Sequence, residues 1–260
     1  MFCIPLGACV GLIAGLFGLG GGAVMVPSLT LLFLWQSMNA NDAVHIALGT
    51  SMASIVMTSW LSMRQHHAKG GVRWDIWCQL LPGVVCGIFL GTFLVVHLDG
   101  RYLSWMFACF MAYVSWNMFF SIRFEGQQHT LKRWHLLIVG SGIGSISALL
   151  AIGGGTMSVP FLRWQGVTMR QAIGTSAALG VPISCLGTFM YMIFSKNSSE
   201  TMGLWGLVNI PMVLIISGVS RWTVAYGVAW SHRLDEQRLK RLFAVLLMVL
   251  SLNMIYVSSG

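Results

Sequence analysis

Two glycine runs hold the backbone chemistry that this sequence offers. GLFGLGGGAVMVP occupies residues 15–27 and ALLAIGGGTMSVP occupies 148–160. Each carries a triplet, Gly20, Gly21 and Gly22 or Gly153, Gly154 and Gly155, with Pro27 or Pro160 five residues beyond it. A glycine inside a helix costs ~1 kcal/mol against alanine, so an apolar helix should break at each triplet. A short helix should then restart at about Gly22 and about Gly155. Such a start presents unpaired N–H groups and partial positive charge, an anion site, and glycine leaves its amides open to approach. The alternative for the triplets is close packing of helices through small residues. A second pair follows the first: Gly49, Thr50 and Ser51 return as Gly174, Thr175 and Ser176. These hydroxyls are donors without fixed charge, or they bond back to their own helix carbonyls. Pro27 and Pro160 are expected to shape the second half-helix.

Charged candidates are few. Arg221 is the one strongly basic residue well inside an apolar segment, and such residues are usually functional. The acidic residues (Asp42, Asp75, Asp99, Glu125, Glu200, Asp235 and Glu236) fall in loops or at segment ends. An anionic substrate would then be the counter-charge of Arg221, unless its long stem snorkels towards the 231–241 loop. His45, just before the first Gly-Thr-Ser, either titrates in a pathway or is structural. His66, His67, His129 and His135 lie in or beside basic loops without metal-ligand spacing, so no metal and no cofactor is expected. Cys3, Cys9, Cys78, Cys86, Cys109 and Cys185 show no CxxC spacing and read as small buried hydrophobes. Asn117 and Asn253 recur at equivalent places and suit interhelical hydrogen bonds.

The elements that must position these groups are apolar segments. Of 260 residues, 56% are hydrophobic and 8% charged, with mean hydropathy +0.77. Soluble domains carry about 25% charged residues, so the chain reads as one all-α integral membrane domain over residues 1–260. The net charge of +8 reflects loop lysines and arginines rather than a nucleic-acid surface. No cleavable signal peptide is expected, because the first apolar run is too long for one.

Eight hydrophobic segments stand at about 3–34, 43–63, 74–97, 102–122, 134–163, 169–194, 203–230 and 242–257. The first and fifth hold the triplets and are either long tilted helices or re-entrant hairpins. If all eight cross, the loop cations divide equally between the two sides. If the first and fifth are re-entrant, one side receives the cations of four loops (64–73, 123–133, 163–170 and 231–241) and the other only Arg101 and Lys196. The positive-inside rule favours the second arrangement, six spanning helices plus two broken, re-entrant segments with both termini outside. Residues 10–120 and 143–255 read as two copies of one unit: Pro82 returns as Pro211, and Phe107, Ala108, Ser115 and Asn117 return as Phe243, Ala244, Ser251 and Asn253. Three spans per copy make the repeat inverted, an architecture of secondary transporters.

With these motifs, with Gly83, Gly87 and Gly91 after Pro82, and with the closing RLDEQRLKRLFAVLLMVLSLNM, the chain resembles the TauE/SafE sulfite exporter family, also called the toluene-sulfonate uptake permeases. The resemblance runs over nearly the whole chain and departs from the repeat pattern at Ala151, where the first copy has Gly18. It implies transport of sulfite, sulfonates or other small organosulfur anions.

The expected function is an inner-membrane permease for a small anion by alternating access. Substrate would sit at the midplane, held by the amides after Gly20, Gly21 and Gly22 and after Gly153, Gly154 and Gly155, beside Thr50, Ser51, Thr175, Ser176 and Arg221. Its partners would be that anion and the lipid bilayer, with a homo-oligomer left open. A scaffold reusing the fold remains an alternative. So does an intramembrane hydrolase, for which Ser51 and Ser176 have no evident base.

Overall fold

The structure is a computed structural model that describes residues 3–17, 20–119, 133–193, 204–231, 244–252 and 254–255. Among these, helices run in the order α1 (Cys3–Phe17), α2 (Gly22–Trp35), α3 (Ala40–Ala68), α4 (Trp74–His97), α5 (Gly100–Phe119), α6 (Arg133–Leu150), α7 (Gly155–Trp164), α8 (Met169–Ile193) and α9 (Ile210–Ser231). A further helical stretch covers residues 244–252. Most cations of the 123–133 and 231–241 loops, together with His129, Lys196 and Asn253, lie outside the described residues.

The first and fifth apolar segments are each two helices, α1 with α2 and α6 with α7. The chain doubles back at the first break. A Cβ on Gly21 would stand 2.5 Å from Val10 Cγ1 and 3.0 Å from Val10 O, whereas a continuous helix rising ~1.5 Å per residue would hold these positions ~16 Å apart. Both short helices close in the same way. Met38 N–H returns to Phe33 O and Ser37 N–H to Leu34 O at the end of α2, while Val167 N–H returns to Leu162 O and Gly166 N–H to Arg163 O at the end of α7. This paired return, around left-handed Ser37 (φ 62°) and Gly166 (φ 80°), satisfies the last helical carbonyls.

One boundary differs from the sequence reading. The segment expected as helix from 203 begins as a small antiparallel ribbon, β1 (Leu204–Trp205) and β2 (Val208–Asn209), and α9 starts only at Ile210. Gly206, at φ 64°, makes the turn that apolar periodicity does not reveal. Pro211 is therefore the second residue of its helix and Pro82 the ninth of α4, so the two do not occupy equivalent places.

Among the described residues four helices are long and apolar enough to cross a bilayer, α3, α4, α8 and α9 through Trp230. They differ in environment. In the most apolar window of α3, 67% of residues are buried, against 28% in α9. The helices carrying Gly-Thr-Ser, α3 and α8, pack on each other at the centre. Around them, α1 lies along α9 and α4 along α6. Small residues permit that closeness. A methyl on Gly7, Gly11 or Gly15 of α1 would meet the backbone of α9 at Ile216, Ser220 or Val224, and one on Gly140 or Gly144 of α6 would meet α4 at Leu80 or Val84. Gly83, Gly87 and Gly91 of α4 abut Leu137, Ser141 and Ser145 in turn. Close packing through small residues, considered for the triplets, thus also joins the helices flanking them.

The later recurring residues meet one another. Ser115 Oγ donates to Ala244 O at 2.7 Å and Ser251 Oγ donates to Ala108 O at 2.8 Å. These reciprocal bonds join α5 to the 244–252 helix. Five of the six cysteines (Cys9, Cys78, Cys86, Cys109 and Cys185) are exposed on the outside of the bundle and all six are free. This corrects their reading as buried hydrophobes: they sit on the outward faces of apolar helices.

Candidate functional site

Left-handed backbone makes both breaks. Gly20 and Gly21 have φ of 67° and 80°, and Gly153 and Gly154 have 80° and 81°. Such torsions cost a residue with a side chain ~1–2 kcal/mol, which is why glycine stands here. Ala151 is the exception, at φ 50°. Gly21 and Gly154 are the N-caps of α2 and α7; neither start has a side-chain cap or an acidic residue in its first turn. The first amides of a helix have no partner within it, and among the described residues no N-cap side chain or first-turn carboxylate claims the positive end of either dipole. All six triplet glycines are buried.

The two breaks touch. A methyl on Gly22 would overlap Ala151 O and stand 3.0 Å from Ile152 Cα. Ser51 Oγ, on α3, donates across to the same Ala151 carbonyl at 3.4 Å. Thr58, two turns along α3, donates to Gly20 O at 2.8 Å. On the other side, Ser158 Oγ of α7 donates to Gly154 O at 2.7 Å and shares a hydroxyl–hydroxyl hydrogen bond with Ser176 Oγ of α8 at 2.8 Å. Thus α3 and α8 each brace one break, and α3 reaches both.

Thr50 and Thr175 sit one residue before those serines, fully buried, in matching roles. Thr50 Oγ1 accepts the Asn209 N–H at 3.0 Å, and Thr175 Oγ1 accepts the Arg73 N–H at 2.9 Å. Each threonine clasps the chain as it enters α9 or α4. Their hydroxyl oxygens are already engaged, a long-range partnership that the motif alone does not show.

Arg221 does not join this cluster. Helix α9 turns Ile216, Ser220, Val224 and Val228 inward, each 0% exposed, and presents Arg221 outward beside Trp222. Of its two sequence readings, the snorkelling stem agrees with this placement. His45 also stands apart. Its Nδ1 faces Asn41 O at 2.8 Å and its Nε2 faces Val95 O and Leu98 O at 3.2 Å each, tying the start of α3 to the end of α4.

Sequence reasoning missed Thr58, Ser59, Ser147 and Ser158. Ser59 is 1% exposed and Ser147 2%, and neither hydroxyl has a hydrogen-bond partner among the described residues. Ser147 Oγ lies 3.7 Å from where a Cβ on Gly154 would be, and Ser59 Oγ lies 3.0 Å from one on Gly20. A signal for Ser59 was available: it follows Ser51 by the same interval at which Ser184 follows Ser176. Every side chain named around the breaks is uncharged. The arrangement can bind a small anion through amides and hydroxyls, without a fixed cation.

Comparison with known proteins agrees with a transport role. The family model described as sulfite exporter TauE/SafE matches residues 3–254. A probable membrane transporter protein of Haemophilus influenzae is 33% identical over 256 residues, covering 98% of this chain and 97% of that protein. A probable membrane transporter protein of Methanocaldococcus jannaschii is 25% identical, over 97% of this chain and 94% of its own length. One from Xylella fastidiosa is 26% identical, with the same two coverages.

Proposed function

The chain belongs to the TauE/SafE sulfite exporter family of membrane transporters, and from that premise we propose that it is an inner-membrane permease for small anions, sulfite or a related sulfur oxyanion foremost. The observation that carries this reading is the contact between the two breaks. Gly22, the first residue of α2, abuts Ala151, which lies in the second break just before α7 begins. In this reading the two uncapped starts face one buried place, where their positive dipole ends would favour one anion between them.

In this reading the substrate lies near the midplane, held by the amides that follow Gly20, Gly21 and Gly22 and those that follow Gly153, Gly154 and Gly155. Thr50, Ser51, Thr175 and Ser176 line the approach, the threonines also holding the starts of α9 and α4. The recurring contacts of α1 with α9 and α4 with α6 support two copies of one unit, inverted in the bilayer. The cation distribution supports both termini outside. Rocking of one copy against the other would open the site to each side alternately.

The test is flux of labelled sulfite, thiosulfate and a small sulfonate into proteoliposomes, with Gly21→Leu and Gly154→Leu beside the wild type. Saturable flux of one anion, lost in both variants while insertion persists, is the expected result. Unchanged flux in both variants would put the site elsewhere. No flux of any anion by folded wild type would end the permease reading for this substrate class.

A further inference from the structure

We propose that Ser59 is a direct substrate-binding residue, its hydroxyl selecting oxygen-bearing anions at the junction of the two breaks; the proposal rests on the reading of those breaks as the anion site. Ser59 lies on α3, which braces the first break and reaches the second. A Cβ on Gly20 would stand 3.0 Å from Ser59 Oγ, and one on Gly180 would stand 2.8 Å from both Ser59 Oγ and Gly153 O. The hydroxyl therefore borders the left-handed backbone of the first triplet and, across Gly180, that of the second. Any side chain at 180 would occupy the space between them.

Its neighbours on the same helix have found partners. Ser54 donates to Thr50 O, Thr58 to Gly20 O and Ser62 to Ala14 O. Ser184, at the corresponding place on α8, donates to Val181 O. A serine in a helix ordinarily has a carbonyl of its preceding turn within reach. Ser59 has no partner among the described residues although it is 1% exposed, and a buried hydroxyl left so is unfavourable unless something else completes it. Lying beside the start of α2, it is placed to donate to an anionic oxygen that the amides also hold. A hydroxyl both donates and accepts, so it also suits a protonated oxyanion, whose O–H needs an acceptor that amides cannot supply. A halide offers no such proton.

The experiment measures melting of purified protein in detergent against sulfite, thiosulfate, a small sulfonate and chloride, with flux of the same anions in proteoliposomes. Wild type, Ser59→Ala and Ser59→Thr are compared. Wild type should be stabilised by at least one oxyanion in a saturable manner. Ser59→Ala should melt no lower than wild type without anion, yet bind that oxyanion about ten-fold more weakly, as loss of one hydrogen bond to a charged group implies. Any response to chloride, which engages the hydroxyl only as a donor, should fall less than the response to hydrogen sulfite, and Ser59→Thr should keep most of the oxyanion affinity. Wild-type affinity in Ser59→Ala would overturn the assignment and leave the permease reading standing. A lower melting point without anion would also overturn it, by showing that the hydroxyl serves the fold. Wild type that neither responds to nor carries any of the oxyanions would overturn both.

Discussion

Gly22 lies so close to Ala151 that a methyl group on it would overlap the Ala151 carbonyl oxygen. They come from different halves of the chain, each at the edge of its own helix break. Their contact turns two local interruptions into one feature. It also places Ser51, which donates to that carbonyl, at the point where both halves are joined.

Gly22→Ala should disable the protein. Gly22 is not among the residues with positive φ, so the substitution tests the contact rather than local torsion. Overpacking typically costs ~1–3 kcal/mol, and here the backbone of the second break must yield. A lowered melting point together with lost flux is expected. Wild-type values of both would mean that the breaks do not need to touch.

Position 151 should rank glycine at or above alanine and alanine above valine. Ala151 has φ 50°, and left-handed torsion costs ~1–2 kcal/mol for a residue with a Cβ. Glycine relieves that cost but loses a buried methyl and gains freedom when unfolded, so Ala151→Gly should stabilise by no more than ~1 kcal/mol. Ala151→Val should melt clearly lower, being β-branched. Thermal denaturation of the three proteins gives the order directly.

Thr50→Val and Thr175→Val should cost similar amounts. Each removes the acceptor of one backbone N–H, that of Asn209 or Arg73, and an orphaned donor costs ~1–3 kcal/mol. Serine at either position should restore most of the loss. A valine variant with wild-type melting but weakened anion binding would assign the hydroxyl to substrate instead.

Arg221→Gln should leave anion affinity unchanged. The side chain is outward on α9, and a snorkelling stem acts at the membrane surface rather than at the midplane. Concentration dependence of flux is the measurement. A several-fold rise in the half-saturating concentration would return Arg221 to the site.

Much of the architecture was legible in the sequence because it depends on short-range physics. Low charge and long apolar runs require a membrane, and left-handed torsion requires glycine. The restarts at Gly22 and Gly155 follow from those residues alone. The ribbon at 204–209 escaped notice because Leu204, Trp205 and Val208 are as apolar as any helix. Its place within an apolar segment left Arg221 open to two readings, substrate partner or snorkelling stem, since sequence says that a residue lies mid-helix but not which way it faces.

What tertiary structure decided is which groups meet. Thr50 and Ser51 are neighbours in one motif, yet one holds Asn209 and the other faces Ala151, far along the chain in both cases. Ser59 resembles Ser54 and Ser62 in composition and helix, and only packing leaves its hydroxyl beside both glycine breaks without a carbonyl to bond. Local sequence determines where a helix starts, because backbone torsions and hydrogen bonds there are set within a few residues. Partners of a buried hydroxyl are set by helices brought together from distant parts of the chain, through contacts that no single segment encodes.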